Sequence, residues 1–362
     1  MESGISQVGA DLRALQNSVQ AMRWRPGMTI RKNSDGSIDS SSLGYQYATQ
    51  STTFIRAKVL QQRLYQVNIA DFVPCDFGAG AWLGNIITNA TGIIAGSFAG
   101  GLRDSLNPGP SNIPRAEVGL TPITANIKTW VSGYGYDLAE INQALASDNW
   151  DLITSRIRAN RMIWTLGTQD TAFLGLESDL SHYPGLFSNS SVTVNTTLIT
   201  AAISSLASSP SSFQAVVAGL LQAYADNSNY TQVPDTFVMP YDDFFGLGAA
   251  TSAQFPINSM IKYMLDAFKQ MTGKENFKIL PSRYGMAARN AGFWHSTGTN
   301  RYVLYNRDEE NGETVKMDFP VDYTLNPAMS ADGFNWNGVA YGQFTGAIVY
   351  RVPEVLYFDY PA

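Results

Sequence analysis

The sequence predicts an α+β fold that carries a projecting two-stranded arm, and three observations predict it. Two β-prone runs, 85–98 and 118–131, flank a tip from Ala99 to Pro114 that is broken by Gly100, Gly101, Pro108, Gly109, Pro110 and Pro114, the composition of a turn. One long helical pattern runs from Trp150 to Leu176, with shorter helical runs behind it. The end of the chain is mostly β-prone, at 277–280, 302–306, 315–325 and 339–357.

Taken in order, Ile5, Val8, Leu12, Leu15, Val19 and Met22 step by 3, 4, 3, 4 and 3, the a/d seam of a helix of about three heptads. So short a helix is marginal alone and needs a partner face, on its own domain or on a neighbour. Pro26 and Gly27 end it, and the Ser/Asp/Gly-rich segment 33–44 reads as a connector. The arm follows. An isolated hairpin is at best marginally stable in water, yet this one carries Ile86, Ile87, Ile93, Ile94, Phe98, Val118, Leu120, Ile123 and Ile127. It therefore lies on something, either its own domain or a neighbouring subunit.

Beyond the arm, Asp137 and Glu140 form a capping-box pattern at a helix start, in which each side chain satisfies an orphan amide. Asp148-Asn149 interrupts that helix, and the long one follows with Leu152, Ile153, Ile157, Trp164 and Phe173 inward. Helical runs are expected at 197–206, 212–225 and 258–271, and a strand at 235–239.

Composition narrows the function. With 362 residues the chain holds two or three structural units, and its charged fraction of 15% is low against the usual ~25%, which points to surface hidden by partners. Net charge is −6, unevenly spread: residues 1–65 hold eight bases and four acids, leaving 16 bases and 26 acids elsewhere. A mildly basic arm on an acidic body suits acidic neighbours or nucleic acid, without the dense footprint of a sequence-reading DNA binder. Cys75 is the only cysteine, so no internal disulfide forms, in keeping with a reducing compartment. The N-terminus lacks the regions of a signal peptide, and no apolar run nears the ~18 residues of a membrane span.

The search for chemistry yields no catalytic, cofactor or metal constellation. His182 and His295 lack ligand spacing. Gly133-Tyr134-Gly135-Tyr136 has Leu138 where a third dinucleotide-loop glycine belongs, and reads as a tight strand-to-helix turn. The alternation of Asn33, Asp35, Ser37 and Asp39 fails as a calcium loop, with Ile38 at the glycine position. Asp242-Asp243 reads as a helix N-terminus and 308–310 as a hairpin turn.

Several phrases, in order along nearly the whole chain, resemble the major capsid proteins of tailed bacteriophages, whose fold is shared with encapsulin shells. They are Asp-Phe-Val-Pro-Cys-Asp-Phe-Gly-Ala-Gly-Ala-Trp at 71–82, Ser-Gly-Tyr-Gly-Tyr-Asp-Leu-Ala-Glu-Ile at 132–141, Tyr183-Pro-Gly-Leu-Phe, Pro234-Asp-Thr-Phe-Val-Met-Pro, and the closing run from Gly346 to Tyr360. The resemblance implies an N-terminal arm at 1–66, an extended β-hairpin loop with its base at 67–131, a peripheral domain with a long spine helix at 132–194 and 320–362, and an axial domain at 195–319. The terminal strands would complete the peripheral sheet.

The implied function is a non-enzymatic virion component. Copies assemble in the host cytoplasm into the hexamers and pentamers of an icosahedral shell around double-stranded DNA, contacted non-specifically. No cofactor or membrane is implied. Scaffolding, portal and cement proteins are implied partners, the scaffold a separate chain because Met1 leads straight into a short arm. An encapsulin-type compartment is one alternative; a carbohydrate-binding or enzymatic α+β protein using Phe293, Trp294, Phe334, Trp336 and Tyr341 is another. Subunit contacts are expected at Ile5, Val8, Leu12, Leu15 and Val19 on the helical seam, and at Ile93, Phe98, Arg103 and Arg115 on the arm. Some relatives cross-link a loop Lys to a neighbour's Asn, but no lysine lies between Lys58 and Lys128 here.

Overall fold

The structure, a computed structural model, describes residues 63–78, 82–94, 117–148, 151–250, 259–293, 298–307, 314–330 and 332–361. The chain divides into Met1–Gln62 with Ala144–Trp150, and Arg63–Gln143 with Asp151–Ala362.

In chain order come β1 (Cys75–Phe77), β2 (Asn85–Ile94), β3 (Glu117–Asn126), β4 (Lys128–Asp137), α1 (Leu138–Asp148), α2 (Leu152–Leu174) and β5 (Thr193–Asn195). Then follow α3 (Pro210–Asn227), β6 (Thr236–Pro240), α4 (Tyr241–Ala249), α5 (Met260–Thr272), β7 (Lys278–Ser282) and β8 (Thr299–Tyr305). The chain closes with β9 (Val315–Phe319), β10 (Val321–Leu325), β11 (Met329–Ser330), β12 (Asn335–Phe344), β13 (Ile348–Val349) and β14 (Val355–Pro361).

A mixed five-stranded sheet, ordered β5-β14-β8-β6-β7, separates two cores. Successive side chains of a strand point to opposite faces, so each central strand feeds both. Phe237 and Met239, Tyr302 and Leu304, and Leu356 and Phe358 meet Phe213, Leu220 and Tyr224 of α3 and Met264 and Phe268 of α5. Val238, Val303, Tyr305, Val355 and Tyr357 meet Phe72, Val73, Phe173, Phe187, Val315 and Met317. Burial on both faces accounts for the continuous apolar stretches 237–240, 302–305 and 355–358 within these strands. Under this sheet Asp359 accepts from Arg301 Nε and Nη2, each at 2.6 Å, while Arg301 Nη1 donates to the Phe187 carbonyl at 2.5 Å. Tyr357 offers its ring to the same guanidinium at 4.6 Å.

The second large sheet pairs β4 with β12 over ten residues, from Lys128↔Phe344 to Asp137↔Asn335, and β12 pairs with β10 and β11. One of its faces packs on α2. A Cβ at Gly342 would come within 2.4 Å of the Trp164 ring, so only glycine lets the helix sit this close. Asn160 Nδ2 donates to Ser132 Oγ at 2.9 Å, and Arg156 donates to the Gly135 carbonyl.

Local signals in the sequence set the helix ends. Asp137 and Glu140 exchange the two capping-box bonds, Asp137 N–H to Glu140 Oε2 at 3.3 Å and Glu140 N–H to Asp137 Oδ1 at 2.6 Å. Arg156 then reaches Glu140 at 2.9 Å, tying α2 to the start of α1. Asp151 caps α2 by accepting from Thr154 N–H at 3.0 Å, so the helix starts at Leu152, two residues later than expected. It stops at Leu174 because Gly175 takes φ +79 in a space where a Cβ would meet the Tyr183 carbonyl at 2.6 Å.

Five expectations are corrected. The run 118–131 is two strands, because the chain leaves its hairpin partner at Ile127 and pairs with β12. Gly133-Tyr-Gly-Tyr is not a turn but part of β4, held by that pairing. No α-helix spans 197–206: Asn195 Oδ1 accepts from the backbone of Thr197 and Leu198, both at 3.0 Å, and a short 3-10 turn covers Ile203–Ser208 instead. The run 315–325 splits at Pro320, which has no amide to donate. The closing run splits into β12, β13 and β14, and β14 joins the five-stranded sheet rather than completing the one that holds β12.

Candidate assembly surfaces

The arm is a regular antiparallel ladder, from Asn85↔Asn126 to Ile94↔Glu117, with Ile93 opposite Val118. Residues directly opposite share a face, so the register sorts its apolar side chains. Ile86, Ile123 and Ala125 lie on one face and are half-buried or buried. Ile87, Leu120 and Pro122 lie on the other and are exposed. Thr88, on the first face, reaches the Tyr350 hydroxyl, and Ile127 N–H closes the base onto the Gly84 carbonyl at 3.1 Å. Of the residues expected at contacts, Ile93 stands near the distal end of β2. Ile5, Val8, Leu12, Leu15, Val19, Phe98, Arg103 and Arg115 lie outside the described residues, as do His295 and 308–310.

Sequence reasoning missed the aromatic surface at the arm's root. Phe77 is exposed and stacks on Phe319 with ring centroids 5.1 Å apart. Trp82 is 63% exposed and stacks on Tyr341 at 5.4 Å. Its backbone takes φ +65, a conformation that costs a non-glycine residue about 1–3 kcal/mol. Gln343 holds it there, accepting from Trp82 N–H at 2.8 Å and donating to Thr129 Oγ1 at 2.9 Å. The sheet face away from α2 continues this surface through exposed Val131 and Val339. No local pattern marks these positions, since exposure depends on pairings distant in sequence.

Chemistry is sparse. Among the described residues no three His, Cys, Asp or Glu side chains gather to hold a metal ion, and no helix is long and apolar enough to cross a membrane. His182 Nδ1 pairs with Asp179 at 2.8 Å on the surface. Burial pushes the Cys75 thiol up to about 12, which leaves it protonated and unreactive. Asp242 and Asp243 do open a helix, α4, and buried Asp243 accepts from Ser204 Oγ at 2.5 Å and from the Tyr302 hydroxyl. The described grooves are shallow. One of about 270 Å³ lies against Leu221, Val233 and Met271, and one of about 430 Å³ against Thr193, Asn195 and Asp226. Lys316 bridges Asp76 at 2.5 Å and Asp318 at 3.6 Å, and burial nonetheless holds the Asp318 carboxyl above its usual range.

Two buried cores thus carry exposed apolar and aromatic side chains along the hairpin and its root. A family model described as major capsid protein matches residues 105–360, and the chain belongs to the major capsid protein family. Among solved structures it resembles the capsid of Myoviridae phage XM1 at 12% identity, with a TM-score of 0.65 over 85% of this chain and 96% of that one. A structure from Mycobacterium phage Ogopogo matches at 12% identity and a TM-score of 0.52 over 87% and 98%. The capsid of cyanophage P-SCSP1u matches at 9% identity and 0.52 over 93% and 99%. At these identities the likeness is one of fold: the chain has the α+β tailed-phage capsid fold. No curated protein matches it in sequence. As a member of this family it is a capsid protein, and its place is the virion.

Proposed function

We propose that copies of this chain, grouped as hexamers and pentamers, tile a closed icosahedral shell around packaged double-stranded DNA. The observation that carries the reading is the arm: two ten-residue strands in register whose outer face exposes Ile87, Leu120 and Pro122. Such a face on an unsupported ladder needs a cover, and in a shell the neighbouring copy supplies it. The N-terminal arm at 1–66, the extended loop with its base at 67–131, which carries the hairpin, the peripheral domain at 132–194 with 320–362 and the axial domain at 195–319 then divide the work. The loop lies on a neighbour, and the axial domain meets its copies around the symmetry axes. Ile5, Val8, Leu12, Leu15, Val19, Ile93, Phe98, Arg103 and Arg115 belong to these contacts.

The excess of bases in residues 1–65 suits non-specific contact with DNA. A separate scaffolding protein, a portal and a cement protein complete the assembly, which takes place in the host cytoplasm without an enzymatic step by this chain. Electron microscopy of the purified protein tests the reading. Uniform hollow particles are expected, and a persistent monomer at high concentration would overturn it.

A further inference from the structure

We propose that Phe245, Tyr241, Tyr65 and Arg283 form one contact between copies of this chain, in which Arg283 receives a carboxylate of the neighbouring copy. The proposal rests on the capsid reading above and goes beyond it by naming a contact.

The four side chains make a continuous stack. Phe245, on α4 and 63% exposed, stacks on Tyr241 one helical turn earlier at 5.3 Å. Tyr241 meets Tyr65 edge-on at 5.9 Å. The Tyr65 ring lies 4.4 Å from the Arg283 guanidinium carbon, which is also 5.2 Å from the Tyr284 ring. Exposed Leu64 adjoins the same stack in sequence.

Among the described residues Arg283 meets aromatic rings and no carboxylate. Its Nε is buried with no hydrogen-bond partner among the described residues. Three other guanidinium groups do meet an acid: Arg301 is held bidentately by Asp359, Arg156 meets Glu140 at 2.9 Å, and Arg351 reaches Glu354 at 3.5 Å. A buried donor left unsatisfied is destabilising, and native structures rarely tolerate one without a reason. Stacked on two rings, this guanidinium is oriented, and a carboxylate reaching its two terminal nitrogens makes the two-pronged bond typical of arginine.

The receptor is also rigid. Tyr284 donates to Asp170 and accepts from Gln169 Nε2 at 2.7 Å. Gln169 Oε1 accepts from Val67 N–H at 2.9 Å, which fixes the segment carrying Tyr65. Preorganisation lowers the entropy lost on contact, and Tyr and Arg are the residues on which interface energy concentrates.

The occupant follows from charge and symmetry. Outside residues 1–65 the chain has 26 acids against 16 bases, so a second copy presents carboxylates in excess. Rings in a shell join subunits head to tail, with different patches meeting. A cation that meets no acid among the described residues of its own subunit suits an anion on the facing side of the next. A nucleic-acid phosphate is the competing occupant.

Arg283→Ala, Arg283→Lys and Phe245→Ala test the proposal in the full chain. The concentration at which particles form should rise about tenfold or more for Arg283→Ala and Phe245→Ala. Arg283→Lys, which keeps the charge and loses the fork, should fall between. The urea midpoint of the unassembled Phe245→Ala subunit should match wild type, because that side chain is exposed. Failure of the wild type to form particles would sink the capsid reading itself. Wild-type particles together with unchanged assembly of both alanine variants would overturn only the contact. Normal assembly of Arg283→Ala with weakened binding to a double-stranded DNA fragment would also overturn it, assigning the site to phosphate.

Discussion

Substituting Gly342 by Ala should loosen the seat of α2 on the β4–β12 sheet. The added Cβ would lie 2.4 Å from Trp164 Cη2, 2.7 Å from Cζ3 and 2.9 Å from Cζ2, against the ~3.5–4.0 Å at which carbon atoms rest. The indole must therefore retreat by about 1 Å. It has nowhere to go. Trp164 is 5% exposed, and its ring is boxed by Trp130 at 5.3 Å, Phe344 at 5.6 Å and Phe319 at 6.4 Å. Overpacking of a filled core costs about 1–3 kcal/mol, and this site belongs at the upper end because three aromatic rings box the indole. The entropy that Ala removes from the unfolded chain offsets only about 0.4–1 kcal/mol. A net loss of about 1–2 kcal/mol follows, read as a lower urea midpoint at unchanged slope in the unassembled subunit. All three clashing atoms belong to the six-membered ring of the indole, so Trp164→Phe should relieve the Ala. The double variant should then lose less than the sum of the single losses, by about 1 kcal/mol. Additive losses, or a Gly342→Ala midpoint equal to wild type, would refute the packing argument.

Four other outcomes are expected. Arg301→Met strands the buried Asp359 carboxylate and should cost about 3–5 kcal/mol; replacing both by apolar residues should restore most of that in the same urea titration. Replacing 92–121 by a short Gly/Ser linker should leave circular dichroism near wild type and abolish particles on a sizing column, since Leu120 and Thr121 stand exposed; intact particles would show that the hairpin is dispensable. Mature particles boiled in denaturant should run as a single band near 39.5 kDa, because no lysine lies between Lys58 and Lys128 to form an amide link through the loop, and arginine cannot replace it. Asp318→Asn should be neutral at low pH and stabilising above it. Burial raises the folded-state value of this carboxyl from 3.8, so below 3.8 both states are protonated. Above it the unfolded chain ionises first, and the wild type loses stability as pH rises towards the folded value. Thermal unfolding from below pH 3.8 to neutrality checks this, and a constant offset between the two proteins would refute it.

What could be read from the sequence was what its neighbours in sequence decide. The capping box of Asp137 and Glu140, the helix break after Asp148 and the helix face of Met264 and Phe268 are set within a few residues, and the structure repeats them. The division of 118–131 was hidden because β4 takes its partner from residues 335–344, and no window around Ile127 contains that information. The same distance hid the strand nature of Gly133-Tyr-Gly-Tyr. For surfaces the limit is stricter. That the arm carries apolar residues without a core was plain, but whether Ile86 or Ile87 faces outward is decided by register alone, since a slip of one residue exchanges the faces. Arg283 sits in Pro281-Ser-Arg-Tyr-Gly, and nothing near it in sequence tells that no acid among the described residues meets it. A core position is defined by what packs on it, and periodicity reports that. A contact position is defined by what the rest of the fold leaves uncovered, so it becomes visible only once every other pairing in the chain has been made.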